Sequence, residues 1–178
     1  MTEGIIEIFT PLTDEVIKTL KAGQAVYITG DIYTARDLAH IRLMELLEAG
    51  KPMPFDFKGN IVFYAGPSPT PTGLVSGSIG PTTAGRMDLY APALIEHGLK
   101  AMLGKGLRSP TAKQAIIKHG GIYFAGTGGI AAFMSKCVKS IELIAFEDLG
   151  TEAIRKLTVE KMPAIVAIDC EGNDIYER

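Results

Sequence analysis

The sequence predicts one α/β domain in which helices pack on a mixed sheet or partly closed barrel. Three observations carry that reading. Short apolar runs alternate with segments of helical period along the whole chain. At 178 residues, 47% hydrophobic and 21% charged, the chain has the length and composition of a globular domain with a real core. No repeat and no low-complexity tract interrupts it, so residues 1–178 read as a single unit without an internal linker.

The elements follow in order. Lys21-Ala22-Gly23-Gln24 reads as a turn into the strand Ala25–Thr29, which ends at Gly30. Thr34 is the candidate N-cap of the next helix, with Asp37 at the capping-box position. That helix runs through Leu38, Ile41, Leu43, Leu46 and Leu47 to Gly50, and Pro52 and Pro54 bar its continuation. A strand at Ile61–Ala65 follows. The segment from Ser68 to Gly73, with prolines at and beside it, reads as a stiff surface excursion. After Gly80-Pro81, Thr82 or Thr83 caps a helix expected to reach about Glu96 and stop at Gly98. Ala101–Leu103 is a short strand. Ser109-Pro110 places a cap and then a proline at the first helical position of Thr111–Lys118, which closes on Gly120-Gly121. Ile122–Ala125 is a strand, and Gly126-Thr127-Gly128-Gly129 opens a helix through Met134. Ile141–Phe146 and Ala164–Ile168 are the last clear strands, and Glu171–Asp174 reads as a hairpin turn.

Bulk properties exclude several classes of function. A net charge of -2 offers no basic stripe for nucleic acid. No apolar run approaches the ~20 residues that span a bilayer. Met1-Thr2-Glu3-Gly4 lacks a signal peptide's basic start, so the cytoplasm is the expected compartment. Two cysteines, Cys137 and Cys170, stand far apart in apolar stretches and read as core residues. His40, His97 and His119 show no ligand spacing, so no metal site is expected from this chain alone.

The chemistry gathers in three glycine-flanked segments: Gly30–Asp37, Gly80–Asp88 and Gly104-Lys105-Gly106. Each is read as leaving a strand for a helix, where free N–H groups and the helix dipole favour an anion. Arg36 in a first helical turn suits a bound anion, or else it pairs with Asp37 or Asp31 on the surface. Arg86 shows the same irregularity, with Asp88 as its alternative partner. Lys105 between glycines offers a compact charge to a closely approaching ligand, or is a surface turn. Thr82 and Thr83 are ligand hydroxyls or plain caps. His40, one turn beyond Arg36, reads as a satisfied buried histidine or an orienting residue, with a direct catalytic role given little weight. The Gly126–Gly129 loop lacks the phosphate-loop ending and reads as helix-to-strand packing. Two arginines, a lysine and a threonine pair at one sheet edge would suit a small dicarboxylate.

The residues G-D-I-Y-T-A-R-D-L-A-H from Gly30, G-P-T-T-A-G-R-M-D from Gly80, G-K-G, F-E-D-L-G-T-E-A-I and M-P-A-I-V-A-I-D carry a resemblance over nearly the whole chain. The sequence resembles the C-terminal region of class I, iron–sulfur fumarate hydratases, a separate β subunit in two-component enzymes. L-tartrate dehydratase β subunits are similar in the same way, and the stretch from Ala145 to Asp169 looks more like the fumarase branch. The resemblance implies a swivelling β/β/α fold. It also implies an α-subunit partner whose three cysteines hold a [4Fe–4S] cluster, hence a hetero-oligomer, or a homodimer when this chain is isolated. It further implies Thr82 as proposed base, with Arg36, Arg86 and Lys105 holding the dicarboxylate; Lys105 is thus a catalytic as well as a binding candidate, and Thr83 stands with the binding residues. The expected reaction is the reversible hydration of fumarate to L-malate. The rival readings are tartrate dehydration and a non-catalytic dicarboxylate-binding domain.

Overall fold

The computed structural model describes residues 4–126 and 129–177. In chain order the elements are β1 (Ile6–Phe9), α1 (Asp14–Thr19), β2 (Ala25–Thr34), α2 (Asp37–Glu48) and β3 (Ile61–Phe63). A 3₁₀ turn (Ala84–Met87), α3 (Ala91–Glu96), β4 (Ala101–Gly104), α4 (Pro110–His119) and β5 (Ile122–Ala125) come next. The chain finishes with α5 (Ala131–Cys137), β6 (Val138–Ala145), a second 3₁₀ turn (Glu147–Glu152) and β7 (Ile154–Ile168).

The strands lie in the order β1-β2-β3-β4-β5-β7-β6, and a further pairing of β2 with β7 closes five of them into a partly closed barrel. β1 and β6 are the extra strands outside the ring. The closure depends on two long strands. β2 has ten residues and β7 fifteen, so each can pair along one edge with two successive neighbours. β2 through β5 run parallel to one another, and β7 is antiparallel to both β2 and β5. All four parallel strands therefore point their C-terminal ends to one rim, where loops of an α/β fold splay apart.

Alternation along the strands divides the core. Ile28, Phe63, Leu103, Phe124 and Leu157 belong to one cluster, drawn from every strand of the ring and covered by α1 and α5. Val62, Tyr64, Met102 and Tyr123 face the other way and pack with Leu43 of α2, Leu94 of α3 and Ile116 of α4. β4 and β5 are buried at every position, as expected of strands covered on both faces.

The predicted caps at Ser109 and Gly120 are in place: Ser109 Oγ accepts from the Ala112 N–H, and Gly120 is left-handed. Gly50 likewise follows α2 with φ 61°. Other expectations are corrected. The strand at Ala25 does not end at Gly30 but continues to Thr34, because residues 156–159 of β7 pair with residues 30–33. Thr34 is no helix cap; its hydroxyl donates to the Ala153 carbonyl and accepts from the Arg155 N–H. The helix expected from Thr82 to Glu96 is broken into a 3₁₀ turn and a short α-helix, because Pro92, with no N–H to give, begins a new helix. β1, α1 and residues 154–163 of β7 are additional to the elements read from sequence. The expected turn at Glu171–Asp174 is present, closed by a bridge between Ile168 and Asp174. The expected helix start at Gly126–Gly129 lies partly outside the described residues, and the helix that follows begins at Ala131.

Candidate active site at the C-terminal rim of the parallel strands

Backbone hydrogen bonds weld two of the three glycine-flanked segments together. The Thr82 N–H donates to the Tyr64 carbonyl at 2.7 Å, just beyond β3. The Lys105 N–H donates to the Thr82 carbonyl at 3.0 Å, and the Ala84 N–H donates to the Lys105 carbonyl at 2.8 Å. Residues 82–84 thus prolong the sheet beside β4, with Thr83 and Lys105 forming a parallel bridge. The approach needs Gly104, since a Cβ there would lie 2.9 Å from the Tyr64 ring and 3.0 Å from the Ala84 methyl. Lys105 is exposed and makes no ion pair among the described residues.

Arg86 connects this pair to the start of α2. Its Nη2 donates to Asp37 Oδ2 at 3.0 Å and to Thr82 Oγ1 at 3.4 Å. The same Asp37 oxygen lies 3.7 Å from Arg36 Nε, and Arg36 Nη2 lies 3.4 Å from Glu152 Oε1. The other Glu152 oxygen accepts from the Leu38 N–H at 2.7 Å. An anion does sit at the N-terminus of α2, as the dipole favours, but it is the chain's own Glu152. Arg36 is the N-cap residue, not a first-turn one, and its Nε is buried without a hydrogen-bond partner among the described residues.

The structure thus joins Arg36, Arg86 and Thr82 around Asp37, with Lys105 alongside through the backbone. Of the surface alternatives, Arg36 does meet Asp37, whereas Asp31 accepts from the Thr158 hydroxyl. Arg86 does not pair with Asp88, whose carboxylate goes to Arg108. Thr83 precedes the 3₁₀ turn, is exposed and makes no side-chain capping bond, so the cap reading of this residue is overturned. His40 is fully buried; its Nδ1 hydrogen-bonds the Arg36 carbonyl at 2.9 Å, and its Nε2 has no partner among the described residues. Burial, with a smaller contribution from Arg108, pushes its pKa down to about 4, so the ring is neutral near pH 7.

Sequence reasoning did not single out Glu152 or Arg108, and it offered Asp88 only as a partner for Arg86. Glu152 lies within the quoted F-E-D-L-G-T-E stretch, and Arg108 stands just before the Ser109 cap, but neither position shows its partner without the fold.

Residues 2–178 match the family model described as Fumarase C-terminus. The chain belongs to the fumarase C-terminus family. Among individual relatives, "Fumarate hydratase class I, anaerobic" of Escherichia coli is 46% identical over 153 residues, which are 85% of this chain and 28% of that protein. "Fumarate hydratase 1, mitochondrial" of Leishmania major shows the same 46% over 153 residues, again 85% of this chain and 28% of that protein. "Putative L(+)-tartrate dehydratase subunit beta" of Methanocaldococcus jannaschii is 38% identical over 175 residues, covering 95% of this chain and 90% of that one. The chain therefore spans 28% of the length of the first two relatives and most of the third. The relatives named as enzymes are hydratases and a dehydratase, that is, hydro-lyases.

The described residues of this member of the fumarase C-terminus family do not fit an iron–sulfur cluster. No group of three or more His, Cys, Asp or Glu among the described residues is arranged to hold a metal ion. Cys137 is buried, its Sγ donates to the Phe133 and Lys161 carbonyls, and burial pushes its thiol pKa up, away from the thiolate a cluster requires. Clefts of about 730 and 610 Å³ lie at the opposite ends of the strands, lined by residues such as Phe55, Phe57, Lys58 and Lys100. The Thr82–Arg86–Arg36 cluster is instead a half-exposed rim.

Proposed function

We propose that this chain is the dicarboxylate-holding β subunit of a two-component class I fumarate hydratase that interconverts fumarate and L-malate. The observation that carries the reading is the Arg86 guanidinium, which reaches a carboxylate oxygen and the Thr82 hydroxyl at once. In this reading a substrate carboxylate takes the place that Asp37 holds on Arg86, and it gives the buried Arg36 Nε the acceptor it lacks. Lys105, on the segment hydrogen-bonded to Thr82 through the backbone, supplies further positive charge to the rim. In the dehydration direction, Thr82 Oγ1, as an alkoxide, removes the proton from the carbon next to a carboxylate. The hydroxyl leaves as water with a proton from the partner subunit, so malate gives fumarate plus one water. A threonine hydroxyl is a weak base, and the adjacent Arg86 charge, with Lys105 on the neighbouring segment, stabilises both its alkoxide and the negative charge that develops on the substrate.

The [4Fe–4S] cluster implied by the class I resemblance belongs to the α subunit in this reading, and this chain's part is confined to the clamp and the proton. Exposed apolar side chains beside the cluster support a partner on this rim: Leu89 is 81% and Leu107 62% exposed. No described helix is long and apolar enough to cross a membrane, and the reading takes the enzyme to work in the cytoplasm.

The test is malate–fumarate turnover followed by 240-nm absorbance. The chain is assayed alone, then co-expressed with its α subunit under anaerobic conditions with the cluster reconstituted. Turnover only in the pair is the expected result, and turnover by the chain alone would overturn the subunit reading. A second reading, tartrate dehydration, is favoured by the match to 90% of the archaeal relative's length. Turnover of tartrate but not malate by the loaded pair would select it.

A further inference from the structure

Arg108 carries a charge that the proposed reaction does not use. Its side chain has no exposed surface, and that of its partner Asp88 has only 7%. The guanidinium lies between two rings, 5.4 Å from the centre of Tyr64 and 4.9 Å from that of Tyr123. Each nitrogen has a partner: Nε donates to Asp88 Oδ1 at 2.6 Å, Nη2 to Tyr64 Oη at 3.4 Å, and Nη1 faces Met102 Sδ at 3.5 Å. The second Asp88 oxygen accepts from the Ser109 N–H.

A buried ion pair of this kind seldom adds net stability, because desolvation offsets the attraction between the charges. Its connections point elsewhere. Asp88 ends the segment that begins with Thr82, and Arg108 and Ser109 end the loop that begins with Lys105. The carboxylate ties the two ends together. Both flanking tyrosines also anchor the site. The Tyr64 carbonyl accepts the Thr82 N–H at 2.7 Å, and Tyr123 Oη donates to the Gly106 carbonyl at 2.9 Å. Gly106 has φ 79°, a left-handed conformation that suits glycine, and these ties hold the Lys105 loop in that turn.

We propose that Arg108, held by Asp88 between Tyr64 and Tyr123, is a positioning residue that fixes the Lys105 segment against the Thr82 segment. The proposal rests on the reading of Thr82 and Lys105 given above.

The test is a double-mutant cycle on the cluster-loaded pair with malate as substrate. Arg108→Met keeps most of the volume and removes the charge and the fork. The expected result is a folded complex whose kcat falls about tenfold or more, with KM changed less. On a Lys105→Ala background the same substitution should cost less than about twofold, since it acts through the lysine. Arg108→Lys, which keeps the charge without the planar fork, should rescue little of the loss. Wild-type kinetics in folded Arg108→Met, or losses that simply multiply with those of Lys105→Ala, overturn the positioning role and leave the site reading intact. Undiminished turnover in Lys105→Ala overturns the site reading and this proposal together. Should Arg108→Met not fold, Asp88→Asn enters the same cycle, and failure of both to fold overturns positioning in favour of a purely structural role.

Discussion

Arg86 donates to the Asp37 carboxylate at 3.0 Å across 49 positions of sequence. A carboxylate of the protein thus occupies the cation that a substrate carboxylate would need, and it shows what that guanidinium is placed to accept. A charge-assisted hydrogen bond from this guanidinium to a substrate carboxylate shielded from water by the partner subunit would be worth about 1.5–3 kcal/mol. Arg86→Ala should therefore lower kcat/KM for malate by about 10- to 100-fold, raising KM and reducing kcat together. Steady-state kinetics on the loaded pair measure both, and unchanged constants would remove Arg86 from the site.

Asp37→Asn should act in the opposite direction on binding. The Asp37–Arg86 pair is partly exposed, 34% and 48% for the two side chains, so it contributes at most about 1 kcal/mol. Relieving that competition should lower KM for malate up to about fivefold with kcat little changed. A raised KM would show that Asp37 orients the arginines instead of competing for them.

His40 links stability to pH. Its folded pKa of about 4 lies below the ordinary value near 6.5, so between these limits the unfolded chain binds the extra proton. Stability is complete above pH 6.5 and is lost as the pH falls toward 4, by about 2 kcal/mol at pH 5 from this residue. Urea unfolding of the chain at pH 7 and pH 5 gives the difference. His40→Asn should be less stable at pH 7 yet flatter between the two values, and an equal slope in both proteins would sink the assignment.

Asp169 is predicted to be structural. It is fully buried and accepts from the Ala22, Glu171 and Asn173 N–H groups and from the Asn173 side chain, tying the β7 end to the turn before β2. Burial alone would raise its pKa, but these hydrogen bonds prevail and hold it below the usual carboxylate value. Asp169→Ala should cost about 2–4 kcal/mol by leaving several buried donors without an acceptor. Thermal unfolding tests this, and a change in Tm within about 2 °C would contradict it.

The exposed leucines give a prediction about association. Leu89→Asp and Leu107→Asp should leave the Tm of the isolated chain nearly unchanged, because neither side chain is packed. Each should weaken association with the α subunit at least tenfold by titration calorimetry. Unaltered affinity in both would place the partner on another face.

Local chemistry was readable from the sequence wherever one residue settles its own backbone. Ser109 before Pro110, Gly120 after α4, Gly50 after α2 and the run Ile122–Ala125 each specify an element through sterics and hydrogen bonds within a few positions. Thr82, Arg86, Arg36 and Lys105 were legible as a set of polar groups at glycine-flanked turns. The pairing of Arg36 with Asp37 was also among the alternatives, but the partners of Arg86 and Arg108 were not legible. Asp88, two positions from Arg86, takes Arg108, and Arg86 takes Asp37.

The sequence by itself therefore determined the fold class, through propensity and periodicity, and carried the family resemblance and the candidate cations in short motifs, because all of these are properties of neighbouring residues. The tertiary structure alone decided that β2 runs on through Gly30 to Thr34, that β7 is three times its expected length and closes the ring, and that Glu152 caps α2. Those outcomes depend on hydrogen-bond partners more than a hundred positions away, and a residue cannot announce a partner that only the packed chain brings within 3 Å.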